Sequence, residues 1–145
     1  MKSYVIDASV AVKWYIPEPL SKAAEQYLQL YKEDRAILLA PDLIIIEVGN
    51  ALWKKTLSGE LPANDARAVL HALTKYCPLK LVPSSELVPS ALELAIKMGF
   101  TVYDSLYIAL AAAAEAMLVT ADKEMVKLAE KPPLSNQVLL LKDDA

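Results

Sequence analysis

Four acidic residues lie inside otherwise apolar stretches of this 145-residue chain, and their type and spacing suit metal chemistry. They are Asp7 in YVIDASV, Glu47 in LIIIEVGNAL, Asp104 in FTVYDSLYIALA and Asp122 in LVTADKEM. A buried carboxylate is costly without a partner, and no matching set of embedded Lys or Arg residues offers a counter-charge. A divalent cation held by oxygen ligands would supply that charge. The pattern therefore favours a metal-assisted phosphodiester hydrolase.

The donor types indicate Mg²⁺ or Mn²⁺, because zinc prefers His or Cys and the chain has one of each. Without a cation, two carboxylates about 5 Å apart would repel by about 3 kcal/mol at an effective dielectric constant near 20. Three neutral residues are candidates to orient water or the carboxylates. Asn50 lies three residues after Glu47, on the same side of a helix, and Ser9 and Thr120 each lie two residues from one of the aspartates.

Short apolar runs alternate with longer amphipathic segments, which indicates a parallel sheet covered by helices on both faces. The predicted strands are residues 4–6, 36–40, 79–82, 117–120 and 138–141. Helical patterns cover residues 21–35, 63–76 and 86–98, and Gly99 is suited to a left-handed cap at the end of the last of these. We expect a three-layer α/β/α sandwich with about five short strands.

The acids gain meaning from this order, since ligand sites in open parallel sheets form beyond the carboxyl ends of the strands. Asp7 and Asp122 directly follow predicted strands, and Glu47 falls in the early turns of the helix after the second strand. Asp104 begins the helix that leads into the fourth strand, so the strand rule alone does not place it at that edge. The alanine run 111–114 would let this helix pack close to the sheet.

The composition indicates one domain, residues 1–145, without a membrane span. Hydrophobic residues make up 55%, but charged residues interrupt every apolar run well below the roughly 18 residues that a bilayer crossing needs. The first residues, MKSYVIDASV, lack a signal-peptide pattern, so we expect a cytoplasmic protein. The single Cys77 excludes an internal disulfide, and the net charge of -3 argues weakly against a protein that coats nucleic acid.

At the level of these motifs, the sequence resembles the PIN-domain ribonucleases, in particular the VapC-like toxins of prokaryotic toxin–antitoxin pairs. The segments VIDASVAVKW, PDLIIIEVGNAL, TVYDSLYIALA and LVTADKEM correspond in order to the four acidic motifs of that family. The resemblance implies that Asp7, Glu47, Asp104 and Asp122 bind Mg²⁺ or Mn²⁺ as catalytic residues, assisted by Ser9, Asn50 and Thr120. It also implies a metal-dependent endoribonuclease that cleaves RNA, a homodimer and an antitoxin partner.

Other interpretations fit parts of the pattern. Asp7, Asp104 and Asp122 lie near predicted helix starts, where Asp commonly caps, and Asp42 also fits a helix cap. The fold is also compatible with a receiver-like or phosphatase-like Mg²⁺-dependent phosphotransfer domain, or with a non-catalytic interaction module. The phosphotransfer domain is disfavoured because no second acid adjoins Asp7. The chain has only three glycines, which excludes a P-loop or a dinucleotide-binding motif.

Basic and aromatic residues near these motifs have two interpretations each. The lysines could flank a nucleic-acid site, although solvated helix positions are favoured; they are Lys13, Lys54, Lys55, Lys123 and Lys127. The aromatic residues could stack on bases, although their apolar contexts favour packing in the core or a dimer; they are Trp14, Trp53, Tyr103 and Tyr107.

Overall fold

Five short strands form one sheet in the order β3-β2-β1-β4-β5, and every pairing is parallel. The computed structural model describes residues 1–130, 134 and 137–142. The strands are β1 (Lys2–Ile6), β2 (Ala36–Pro41), β3 (Lys80–Val82), β4 (Met117–Thr120) and β5 (Val138–Leu140). All five predicted strands are confirmed, with ends that differ by at most two residues.

The helices alternate with the strands as the sequence predicts. They are α1 (Ala8–Ala11), which continues into a 3₁₀ turn at Val12–Trp14, α2 (Ser21–Lys32), α3 (Leu43–Leu57), α4 (Ala63–Lys75), α5 (Ser84–Met98), α6 (Val102–Ala113) and α7 (Lys123–Leu128). Gly99 ends α5 with φ of 80°, which confirms the predicted left-handed cap. None of these helices is long and apolar enough to cross a membrane alone; α5 and α6 reach that length only together, across a 112° bend.

Helices cover both faces of the sheet, so the predicted three-layer α/β/α sandwich is confirmed. Helix α6 packs against β1, β2 and β4, and α2 packs against β2. Tyr4 of β1 meets Tyr27 of α2 edge to face, with ring centroids 5.0 Å apart. The neighbouring Val5 is fully buried. Burial on both faces explains why these strands are uniformly apolar, since each such side chain contributes about 1.5–3 kcal/mol when buried.

One predicted cap forms across the fold instead of within its own helix. Asp42 lies at the N-cap position of α3, but its carboxylate accepts a hydrogen bond from the backbone of Ser84, 3.0 Å away, where α5 begins. The Ser84 hydroxyl in turn accepts from the backbone N–H of Leu43 at 3.1 Å. The two residues therefore satisfy the free backbone N–H groups of each other's helices.

The strand order reverses between β1 and β4, and this creates the place where a ligand can bind. The chain builds β2 and β3 on one side of β1, and β4 and β5 on the other. Loops leaving β1 and β4 therefore part in opposite directions, which opens a crevice at the carboxyl ends of these strands. Asp7 leaves β1 at this crevice, and its backbone N–H still lies 3.4 Å from the carbonyl oxygen of Val119 in β4.

Candidate metal centre

Asp7 is the most enclosed of the four acids, at 5% exposure. It follows β1 directly and caps α1, so that its Oδ1 accepts from the backbone N–H of Val10 at 3.3 Å. The hydroxyls of Ser9 and Thr120 donate to Oδ1 and Oδ2 respectively, each at 2.5 Å. Burial raises the pKa of Asp7 to about 6; the three hydrogen bonds oppose that rise, and the charge of Glu47 adds to it.

The two hydroxyls that hold Asp7 are themselves fixed by backbone groups. Ser9 Oγ accepts from the N–H of Ala121 at 3.0 Å, and Thr120 Oγ1 accepts from the N–H of Asp122 at 3.0 Å. Because each hydroxyl accepts from the backbone, its proton is free to point at Asp7. These bonds tie the end of β1 to the loop after β4, which explains the predicted proximity of Ser9 and Thr120 to the acids.

Glu47 lies half-buried in the second turn of α3 and is held from the opposite helix. The Tyr107 hydroxyl donates to its Oε1 at 2.5 Å. Burial raises the pKa of Glu47, the bond from Tyr107 lowers it, and the charge of Asp104 raises it again. Burial and then Glu47 raise the pKa of the Tyr107 phenol, so this group stays protonated and acts as the donor.

Tyr107 is the residue that sequence reasoning missed at this site. The prediction of core packing is correct for its ring, which is 2% exposed, but its hydroxyl reaches Glu47. One signal was present in the sequence. Tyr107 lies three residues after Asp104, and residues three apart share a helix face. A helix that presents one acid to the site therefore also presents this hydroxyl.

Asp104 and Asp122 complete a row of four carboxylates. Asp104 lies half-buried in the first turn of α6, where Thr101 Oγ1 accepts from its backbone N–H at 3.1 Å. Burial raises the pKa of Asp104, and the charge of Asp122 raises it further. Asp122 is exposed and caps α7 by accepting from the N–H of Glu124 at 2.9 Å. Asp7 and Asp122 therefore each cap a helix and also belong to the row of carboxylates.

The donor set of this row suits a hard cation. Within the described ranges, none of the four carboxylates forms an ion pair with Lys or Arg. Along the row, the charge of each acid raises the pKa of the one before it: Glu47 acts on Asp7, Asp104 on Glu47, and Asp122 on Asp104. All the groups are oxygen donors, which Mg²⁺ and Mn²⁺ prefer. As the side chains stand, no three acidic, His or Cys groups among the described residues converge closely enough to hold one ion.

Two grooves flank the row and meet at Ala8 and Ala51. The first has a volume of about 490 Å³, and its walls include Glu47, Asn50 and Tyr103. The structure thus places Asn50 beside Glu47, as the helical spacing predicts. The second groove has a volume of about 360 Å³ and runs past Ser9 and Ala121 toward three charged residues, Lys13, Glu18 and Lys55.

Two of the lysine predictions are wrong. Lys13 and Lys55 are only 11% and 22% exposed, and each lies 3.0 Å from a carboxylate oxygen of Glu18. Lys55 also lies 3.5 Å from Glu60. The partly buried Glu18 requires counter-charge, which explains why these lysines turn inward. Lys54, Lys123 and Lys127 are exposed, as expected.

The aromatic residues also divide into two groups. Trp14 packs against the core, and its indole N–H donates to the carbonyl oxygen of Ala24 at 2.9 Å. Trp53 and Tyr103, by contrast, are 55% and 62% exposed, so neither packs in the core, and their packing in a dimer stays a prediction. Tyr103 lies in the first turn of α6 and lines the first groove together with residues of α3.

Comparison with known proteins agrees with this geometry. The sequence matches the PIN domain over residues 4–131. It is 37% identical over 130 residues to Ribonuclease VapC3 of Pyrobaculum aerophilum, covering 89% of this chain and 94% of that protein. It is 36% identical over 103 residues to Ribonuclease VapC1 of Mycobacterium tuberculosis, covering 71% and 74%. The crystal structure of PAE2754 from Pyrobaculum aerophilum is similar in fold, with a TM-score of 0.63, 25% identity and coverage of 97% and 90%.

Proposed function

The chain belongs to the PIN-domain family, and from that premise we propose that it is a metal-dependent endoribonuclease, the toxin of a toxin–antitoxin pair. The observation that carries this proposal is the row of four carboxylates at the strand-order reversal, in a chain similar to proteins named VapC ribonucleases. No second acid adjoins Asp7, which is followed by Ala8 and Ser9, so nothing favours the receiver-like or phosphatase-like alternative.

We propose that Asp7, Glu47, Asp104 and Asp122 hold Mg²⁺ or Mn²⁺. Their mutual repulsion and the lack of ion-pair partners in the described part of the chain support this role. Side-chain rotation would have to bring them together, which suits Asp122 with its exposed carboxylate. Such an ion, when bound, supplies a water of lowered pKa and neutralises charge on the phosphoryl oxygens.

The surrounding residues fix where the carboxylates can act. Ser9 and Thr120 hold both oxygens of Asp7, so this side chain is the rigid end of the row. Tyr107 holds one oxygen of Glu47. Hydrogen bonds of this kind orient ligands and exclude competing rotamers, and they keep the carboxylates ionised against the effect of burial. Asn50, exposed beside Glu47, is placed to hold a water or a substrate oxygen.

The same proposal names the partners and the setting. We propose that RNA is the substrate, that an antitoxin protein inhibits the chain, and that two copies form a homodimer. The names of the similar ribonucleases support the first two. The single nuclease domain, residues 1–145, and the cytoplasmic setting remain predictions from the sequence.

The test is cleavage of a structured RNA by the purified chain, with and without a chelator. We expect cleavage to stop in the chelator and to return with Mn²⁺, and Asp104→Asn to lose at least 100-fold in rate. Asp65→Asn is the matched control, because Asp65 lies in the first turn of α4. Cleavage that ignores both the chelator and Asp104→Asn would contradict the proposal, and release of phosphate from small monoesters would favour the phosphatase-like alternative.

A further inference from the structure

The 490 Å³ groove between α3 and the start of α6 has the size and the lining residues of a nucleotide subsite. We propose that it binds an unpaired base of the RNA chain, next to a phosphate that a cation at the carboxylate row would hold, with the Tyr103 ring as the stacking surface. This inference rests on the proposed ribonuclease function. The volume lies within the range of about 300–1,000 Å³ that holds small ligands, so the groove has room for one nucleoside.

Tyr103 is the first reason for this assignment. Its side chain is 62% exposed, although the seven residues from Ser105 to Ala111 on the same helix are all buried. Within the part of the chain that the structure describes, the ring stacks on no other aromatic residue and its hydroxyl has no hydrogen-bond partner. An exposed aromatic face of this kind gains from covering by a base, since every base has a π-face.

The polar residues of the groove are the second reason. Asn50 is exposed, and no hydrogen bond to another described residue occupies its amide, which offers both a donor and an acceptor to the edge of a base. Lys54 is exposed and, among the described residues, pairs with no carboxylate, so its charge is available to a phosphate. A ring, an amide and a cation in one groove match the face of a base, its edge and a phosphate.

The position of the groove is the third reason. Glu47 lies in its wall, so the groove borders the carboxylate row at that residue. A chain whose phosphate lies at the row would bring a flanking base to Tyr103. Bases in a duplex are stacked on their neighbours and cannot enter such a groove, so the subsite would favour single-stranded or looped RNA.

The experiment is a double-mutant cycle in which the Tyr103 ring and one base of the RNA are removed separately and together. Binding of a single-stranded oligoribonucleotide is measured by fluorescence anisotropy in Ca²⁺, a cation that also takes oxygen ligands, with a gel to verify that the probe stays intact, for wild type, Tyr103→Ala and Tyr103→Phe. We expect Tyr103→Ala to bind at least about 5-fold more weakly and Tyr103→Phe to bind as wild type does, because the ring carries the stacking. The matched control is Tyr76→Ala, since Tyr76 is 72% exposed at the end of α4.

A second oligoribonucleotide lacks one base beside the cleaved bond. Wild type should lose as much affinity for this probe as Tyr103→Ala loses for the intact one, and the two changes together should cost no more than either alone. Additive losses, or an equal loss in Tyr76→Ala, would overturn the inference. A Tyr103→Ala protein that melts as wild type does and binds RNA with unchanged affinity would also overturn the inference. If that variant had instead lost binding of an antitoxin, the groove would be a binding site for the antitoxin and not for RNA.

Failure of this inference can be told apart from failure of the proposed function. If wild type cleaves RNA in Mn²⁺ while Tyr103→Ala binds the intact probe as tightly as wild type does, the base subsite is wrong and the ribonuclease stands. If wild type neither binds nor cleaves RNA in Mn²⁺, the proposed function is wrong and the subsite falls with it.

Discussion

Asp7→Asn should stabilise the metal-free protein at neutral pH while it abolishes cleavage. Asp7 is buried, and its charge is opposed by burial and by Glu47. Asparagine keeps nearly the same shape and an oxygen that can accept from the backbone N–H of Val10. The hydroxyls of Ser9 and Thr120 can rotate, and each oxygen can accept a second hydrogen bond from the new amide. The substitution therefore removes a buried charge at the expense of about one hydrogen bond.

The size of the effect follows from the pKa of Asp7, which burial raises from 3.8 to about 6. One pKa unit corresponds to about 1.4 kcal/mol, so ionisation of this group destabilises the fold by about 3 kcal/mol at neutral pH. The folded protein binds this proton more tightly than the unfolded chain. The penalty is therefore absent below pH 3.8, grows as the pH rises to 6, and is complete above pH 6. After loss of one hydrogen bond, we expect a net gain of about 1–2 kcal/mol.

The assay is urea unfolding in chelator at pH 4 and at pH 7.5, for wild type, Asp7→Asn and the control Asp65→Asn. Asp7→Asn should exceed wild type in the free energy of unfolding at pH 7.5, and the advantage should shrink at pH 4. Asp65→Asn should change little at either pH, because Asp65 is exposed on α4. An Asp7→Asn protein that is destabilised equally at both pH values would refute the electrostatic reasoning and leave Asp7 as a structural cap.

Three further predictions concern the metal and the core. Mn²⁺ at 100 times its Kd should stabilise wild type by about 2.7 kcal/mol in thermal unfolding, with a smaller gain in Asp104→Asn; no shift up to millimolar Mn²⁺ would count against the site. Tyr107→Phe should fold but bind Mn²⁺ about 10-fold more weakly by calorimetry, because Glu47 loses its only side-chain hydrogen-bond donor among the described residues. The control Tyr15→Phe, at a partly buried tyrosine, should bind Mn²⁺ as wild type does. Ser105→Ala should stabilise the chain by about 1 kcal/mol in urea unfolding, since the Ser105 hydroxyl is fully buried and has no hydrogen-bond partner among the described residues. A lower stability of Ser105→Ala would show that the hydroxyl forms a stabilising hydrogen bond.

The strands could be predicted because their signal is local. Each is a short apolar run that both faces of the sheet bury, so burial constrains every residue in the same way. Caps were less predictable, because they depend on what lies nearby in space. Asp42 has the right type and position to cap α3, yet it bonds to Ser84, whose helix begins 42 residues later. A rule based on neighbouring residues in the sequence cannot predict that contact.

The candidate site was predictable in outline and not in detail. The strand-end rule anticipates that Asp7 and Thr120 meet, because β1 and β4 are neighbours in a parallel sheet. Side-chain direction was beyond that rule. Tyr103 and Tyr107 lie four residues apart on one helix, yet the first is exposed and the second is buried with its hydroxyl on Glu47. Burial of Lys13 likewise depends on Glu18, which only the folded chain brings into contact.

The central claim is that four carboxylates from separate segments share a divalent cation. An anomalous difference map from crystals grown with Mn²⁺ tests it most directly. We expect a peak at the carboxyl ends of β1 and β4, about 2.1 Å from carboxylate oxygens of at least two of the four acids, and its loss in crystals of Asp104→Asn. A map without a peak at saturating Mn²⁺, or with its peak away from Asp7, Glu47, Asp104 and Asp122, would contradict it.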